Sequence, residues 1–203
     1  MRNIQTLTTI CLLVGVFTAY AAETPAEVSG VFGPAFVNSG TGDTPLRVGT
    51  KLSAGTTIRT GARGAADIFL GGEPSVIRLT QNTIVRIEQL HGTNNTSETY
   101  LHLQQGSILG NGSNVPENSR YQIKTAVGIA GIASGAFRLH AEGYLVLLNG
   151  KARFAHVPTN GEPKLYDLTA PPAVYFSAAE GVKPAPKELV REILDQSRAR
   201  LGQ

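Results

Sequence analysis

In the stretch Arg120-Tyr121-Gln122-Ile123-Lys124-Thr125, the residues Tyr121, Ile123 and Thr125 alternate with Arg120, Gln122 and Lys124. Successive side chains of an extended strand point to opposite faces, whereas a helix repeats its apolar positions every three or four residues. The spacing therefore predicts a half-buried β-strand. The same period recurs outward along the chain. Leu101 and Leu103 oppose Tyr100, His102 and Gln104; Val85 and Ile87 oppose Arg86 and Glu88; Ile77 and Leu79 oppose Arg78 and Thr80. Leu145-Val146-Leu147-Leu148 is apolar without alternation, which predicts a strand covered on both faces.

Turn chemistry fits short strands. Asn149-Gly150 lies between Tyr144–Leu148 and Lys151–Val157, and both residues tolerate the positive φ of a type I′ hairpin. Gly71-Gly72, Asn111-Gly112 and Asn160-Gly161 offer further reversals. From about Val28 to Val157 the chain is expected to be all-β: a single roll, sandwich or solenoid-like domain of short strands. Repetition of strand–glycine–strand units is loose and sets no strict repeat. Six of the 11 prolines fall from Pro158 to Pro186, where they would obstruct regular ladders. Residues 158–186 are thus expected to be an extended Pro-rich segment. A short helix over 187–201 follows, with Leu189, Val190, Ile193, Leu194 and Leu201 as its apolar stripe and Pro186 at its start. That stripe is expected to dock onto its own domain.

The amino terminus has the layout of a secretory signal over residues 1–21. Arg2 supplies one positive charge, Ile10 to Ala22 is uncharged and mainly apolar, and Ala19-Tyr20-Ala21 sets small residues at a cleavage site. The apolar run is shorter than the roughly 20 residues of a spanning helix. Cleavage would remove Cys11, the single cysteine, so that no disulfide, thiol nucleophile or Cys-ligated metal is expected in the mature chain. Without Arg2, 17 bases against 15 acids leave a net charge of +2. Nucleic-acid binding normally needs Lys and Arg clustered along one face, and no such run occurs before the tail. Charged residues are 16% of the chain, against about 25% in a typical soluble domain, yet 41% is hydrophobic, which excludes disorder throughout.

In order, several segments resemble the extracytoplasmic FecR domain family. Leu52-Ser53-Ala54-Gly55-Thr56-Thr57-Ile58-Arg59-Thr60-Gly61 is similar to its G-x-x-L-x-x-G-D-x-I-x-T-G stretch, with Thr56 where an acid is usual. Ala65–Leu70, Ser75–Leu79 and Asn82–Ile87 resemble the strands that follow, and Leu101–Ile108 its L-x-x-G-x-hydrophobic segment. Tyr121–Ala126 and Gly128 lead to Gly131-Ile132-Ala133-Ser134-Gly135-Ala136-Phe137, where the family usually has G-[VI]-R-G-T-x-F. Arg, Gly and Thr are thus replaced by Ala133, Ser134 and Gly135. Val146–Ala152 resembles the closing hairpin. The resemblance covers about residues 28–157. It implies a stand-alone exported member, periplasmic or extracellular in a bacterium, rather than a complete signal relay, which would also need a cytoplasmic segment and a spanning helix.

Chemical motifs are sparse. Ser134 lacks the G-x-S-x-G elbow, and His91, His102, His140 and His156 lack zinc spacing, although His140 and Glu142 could share a strand face. Asp67, Glu73, Glu88, Glu98 and Glu142 are available, but nothing local pairs them for glycoside hydrolysis. No phosphate loop is present. No catalytic residue, cofactor or metal ligand is therefore assigned. The residues singled out are the motif turn Gly131, Ile132, Ala133, Ser134, Gly135 and Phe137, and Tyr100, His102, Gln104, Arg120, Gln122 and Lys124 as edge-strand contacts. The expected role is a non-catalytic extracytoplasmic binding or signalling module. Its partner would be an envelope protein or glycan, reached by strand addition at a free sheet edge. A carbohydrate-processing or hydrolytic enzyme and a structural envelope protein are the alternatives, and the oligomeric state stays open.

Overall fold

A computed structural model describes residues 26–70, 76–92, 96–112 and 119–198. The expected signal over 1–21, the Gly71-Gly72 turn, Glu73 and Leu201 lie outside the described residues. The first strands are β1 (Ala26–Phe32), β2 (Ala35–Asn38), β3 (Thr44–Pro45), β4 (Lys51–Leu52), β5 (Thr57–Thr60) and β6 (Ala65–Phe69). Next come β7 (Val76–Leu79), β8 (Ile84–Gly92), β9 (Ser97–Gln105), β10 (Ser107–Asn111), β11 (Arg120–Thr125) and β12 (Gly128–Ser134). The last are β13 (Ala136–His140), β14 (Leu145–Leu147), β15 (Gly150–His156), β16 (Lys164–Ala170), β17 (Val174–Ser177) and β18 (Gly181–Pro184), and then one helix, α1 (Lys187–Arg198).

The all-β expectation holds, as two nine-stranded sheets. One has the order β18-β17-β14-β13-β10-β7-β6-β1-β4 and the other β16-β15-β12-β11-β9-β8-β5-β2-β3. We call them the first and second sheets. The chain crosses between them every one or two strands, so both sheets advance together from one end to the other. Pairing is antiparallel except between β9 and β11, which run parallel because β10 is spent in the opposite sheet before the chain returns.

Alternation fixes the faces. Leu101, Leu103, Ile123, Val85, Ile87, Ile77 and Leu79 are all at most 1% exposed and meet in one core between the sheets. Phe154 and Phe176 pack 4.5 Å apart between ring centroids and join the sheets near the C-terminal end. The non-alternating Leu145–Leu147 strand is buried throughout, as expected. Leu145 and Leu147 face the main core, whereas Val146 belongs to a second cluster with Leu109 of β10 and Ile193 of α1. The helix therefore docks on the outer face of the first sheet. Arg138 and Glu192 pair at 3.0 Å, and Arg78 Nη1 donates to the Gln196 carbonyl at 3.3 Å.

Two expectations are corrected. Asn149-Gly150 is not a hairpin turn: β14 lies in the first sheet and β15 in the second, so the dipeptide forms an arch between sheets. Residues 158–186 are not merely extended, because β16, β17 and β18 pair within the sheets. The prolines permit this because Pro158, Pro163, Pro171, Pro172 and Pro186 lie outside the strands and Pro184 ends one.

Candidate functional site

The outer face of the second sheet is built by five adjacent strands, β9, β11, β12, β15 and β16, in register. One row across them reads Tyr100, Gln122, Gly131, Arg153, Asp167. A second reads His102, Lys124, Ile129, Ala155, Leu165. At the other side of the first row, Glu98 faces Arg120 and Lys151 faces Thr169, with Ala133 between these pairs in a bulge of β12. Gln104 follows Tyr100 and His102 on the same face of β9 by strand alternation.

A trough of about 510 Å³ runs over β12 from the first row to the level of Arg120, Ala133 and Lys151. Its floor is Gly131 and Ala133; its walls include Arg120 and Gln122 on one side and Lys151, Arg153, Asp167 and Thr169 on the other. The floor is low because neither residue carries a bulky side chain. Gly131 needs no glycine for its fold: its φ is not in the left-handed region, and an added Cβ would meet only the Arg153 carbonyl, at 3.8 Å. Gly135 differs sharply. Its φ is +97°, and a Cβ there would stand 1.8 Å from the Asn149 carbonyl oxygen. Backbone geometry thus requires a glycine at 135, whereas space at 131 is simply left open.

The motif turn separates into two roles. Gly131 and Ala133 line the trough, while Ile132 and Phe137 point into the core at 3% and 1% exposure. Ser134 Oγ accepts a hydrogen bond from the Lys151 backbone N–H at 3.2 Å, and Gly135 turns the chain towards β13. Tyr121, beneath the trough, stacks edge-on against Phe137 at 6.1 Å. Its hydroxyl is buried without a partner among the described residues, and burial pushes the phenol well above its ordinary pKa.

Among the described residues, three cations and one carboxylate line the trough. Arg153 Nε donates to Asp167 Oδ1 at 2.7 Å, but both side chains are mostly exposed, and such a pair contributes at most about 1 kcal/mol. Arg120 lies 3.6 Å from Glu98, which stands on the far side of Arg120 from the trough. The carboxylates considered for hydrolysis are not brought together. Asp67 clasps Arg78 through two hydrogen bonds of 2.5 and 2.6 Å, Glu88 sits near Arg86 and His102, and Glu98 near Arg120. Among the described residues no three His, Cys, Asp or Glu side chains converge as a metal set. Burial, and next the Arg138 charge, lower the His140 pKa.

Tyr100, His102, Gln104, Arg120, Gln122 and Lys124 do share one face, but β9 and β11 are not edge strands. They pair with each other and are flanked by β8 and β12. The described edges are β18, β4, β16 and β3, so strand addition at β9 or β11 is closed by ladders already formed. Lys151 and Arg153 were not singled out from sequence. Their alternation with buried Ala152 and Phe154 was a usable signal, but only the β12–β15 register brings them to Gly131 and Ala133.

Residues 56–153 match the family model described as "FecR protein". The fold is similar to two crystal structures, at 1.65 and 2.50 Å resolution, of a "putative anti-sigma factor" from Parabacteroides distasonis ATCC 8503. Both align with a TM-score of 0.51 over 68% of this chain, at 15% and 16% identity. The aligned region spans 64% of those chains, and the likeness is one of fold. No curated protein sequence matches the chain.

Proposed function

We propose that this chain, whose residues 56–153 match the FecR family model, is a non-catalytic extracytoplasmic binding or signalling module of the bacterial cell envelope. The family match and the anti-sigma-factor fold support a regulatory role. The observation that carries the binding reading is the trough: a side-chain-poor floor on an exposed sheet face, walled among the described residues by more cations than anions. The carboxylates nearest to it are tied to arginines rather than to each other. Partner docking on the face of the second sheet replaces strand addition at β9 and β11 as the mode of contact, because those two strands are already paired on both sides.

A photo-crosslinking residue in place of Gln122, in the full-length chain in its own cell, tests this. The expected result is one discrete adduct with an envelope component, absent when the probe replaces the exposed Glu188 of α1. Adducts from Glu188 and none from Gln122 would refute the assignment of the face. Recovery of the intact chain in the cytosol would refute the compartment. Turnover of envelope glycan by the purified protein would favour the hydrolase alternative instead.

A further inference from the structure

We propose that the trough holds an extended acidic peptide segment of a partner protein, lying along β12 with carboxylates at alternate positions. This rests on the reading that the second-sheet face docks a partner, and it names the chemistry of the docked part. Three observations lead to it. The first is the empty floor: over two residues of outward-facing β12, Gly131 presents backbone and Ala133 only a methyl group. Gly131 has neither a conformational nor a packing reason to be glycine, so the space above it is a property of this face.

The second is dimension. Arg120 and Lys151 flank the Ala133 position on strands two places apart, and neighbouring strands are about 4.8 Å apart, giving a channel about 9.6 Å wide between backbones. That admits one extended chain. Along each wall, Arg120 to Gln122 and Lys151 to Arg153 are two-residue steps of about 6.6 Å, at a rise of about 3.3 Å per residue. Alternate side chains of an extended peptide repeat at this same distance, so carboxylates two residues apart can reach one wall group each.

The third is charge. The main-chain groups of interior strands are committed to ladders, so recognition across a sheet face must come from side chains. Arg120, Lys151 and Arg153 offer positive charge, and Arg guanidinium groups bind carboxylates with directed pairs of N–H donors. Among the described residues Asp167 is the only acid lining the trough, and it already engages Arg153. Arg120 is already 3.6 Å from Glu98, so among the described residues the carboxylate preference is strongest on the Lys151 side of the Ala133 position, where the wall carries no acid. Electrostatic attraction of this exposed kind weakens as salt is added.

Fluorescein-labelled synthetic peptides, titrated with the purified full chain by fluorescence anisotropy, test the proposal. The probes are a nine-residue Ser/Glu peptide with Glu at alternate positions, its Ser/Gln analogue, and a block peptide with the same number of Glu residues in one run. Alternating Glu is expected to bind at least tenfold tighter than the Gln analogue and clearly tighter than the block peptide, with affinity falling between 50 and 200 mM salt (~tenfold or less for two or three contacts). Ala133→Leu fills the floor without changing charge and should weaken binding at least tenfold while thermal unfolding stays unchanged. Lys151→Glu should do the same and is the check should A133L shift stability. Equal binding of alternating and block peptides, wild-type affinity in A133L, or tighter binding of a polyuronate than of any peptide would each overturn it. If Gln122 still crosslinks one envelope partner while the peptides fail, the docking face stands and its acidic occupant falls.

Discussion

Replacing Tyr121 by Phe should stabilise the protein, although the change removes a polar atom from a well-packed place. Tyr121 is 6% exposed, and its hydroxyl is buried with no hydrogen-bond partner among the described residues. An unsatisfied buried polar group costs roughly 1–3 kcal/mol, because water bonded to it in the unfolded chain and nothing does so in the fold. Deleting the oxygen relieves that cost and leaves a gap of about methyl size, which costs about 1 kcal/mol. The ring keeps its edge-on contact with Phe137 at 6.1 Å. The expected balance is a gain of about 1 kcal/mol, or a rise of roughly 2–4 °C in Tm for a chain of this size. In urea the midpoint should rise by roughly 0.5 M with the slope unchanged, taking a slope of about 2 kcal/mol/M. A second signature lies in alkali. The folded phenol has its pKa raised above the ordinary value near 10 by burial, so its stabilising protonation is complete below pH 10 and is lost as pH rises beyond it. Y121F should therefore lose less stability than wild type above pH 10. As a control, Tyr175→Phe removes an exposed hydroxyl that donates to Glu180 at 3.1 Å and should change stability by under about 0.5 kcal/mol. If Y121F is less stable by about 1 kcal/mol or more, the hydroxyl has a bonded partner such as a buried water, and the reasoning is wrong.

Gly135→Ala should cost about 3 kcal/mol or more, since φ is +97° and the new Cβ would overlap the Asn149 carbonyl, whereas Gly131→Ala should stay within about 0.5 kcal/mol; chemical denaturation of both variants decides this. Ile193→Ala removes the fully buried anchor of α1, so hydrogen exchange should accelerate at least tenfold in the α1 amides and stay unchanged in β13. Acceleration in both would mean that the helix and sheet unfold as one unit. Because the His140 pKa is lowered in the fold, the unfolded chain takes up its proton first as pH falls below about 6.5, and stability should decline from there. His140→Gln should flatten that acid slope in denaturation midpoints measured from pH 7.5 to 5, and an unchanged slope would assign the loss to other groups.

Period-two patterning was enough to place the strands because each is polar on one side and apolar on the other. Tyr121, Ile123 and Thr125 are buried, whereas Arg120 and Lys124 are exposed, as the alternation demanded. Two of the differences share one cause. A tight Asn-Gly pair serves equally well for reversal within a sheet and for crossing between sheets, and local sequence does not distinguish them. Gly150, at φ +87°, satisfies the arch for the same conformational reason that it would satisfy a hairpin. The placement of β9 and β11 inside the sheet likewise depends on β10 crossing away, a long-range fact. The Pro-rich tail misled because proline density was weighed without proline position. Half the candidate site was visible as the outward residues of β9 and β11. The other wall, Lys151 and Arg153, became part of a site only through its register with β12.

The two sheets advance in near sequence order, from β4 and β3 at one end to β18 and β16 at the other. Distance along the backbone is thereby converted into distance along an axis, so a perturbation has a natural reach of a few neighbouring strands, as in stacked repeats. Growth could start at any level and spread both ways like a seam being sewn. Force applied to the two terminal strands would undo the stitches serially instead of shearing the whole body at once.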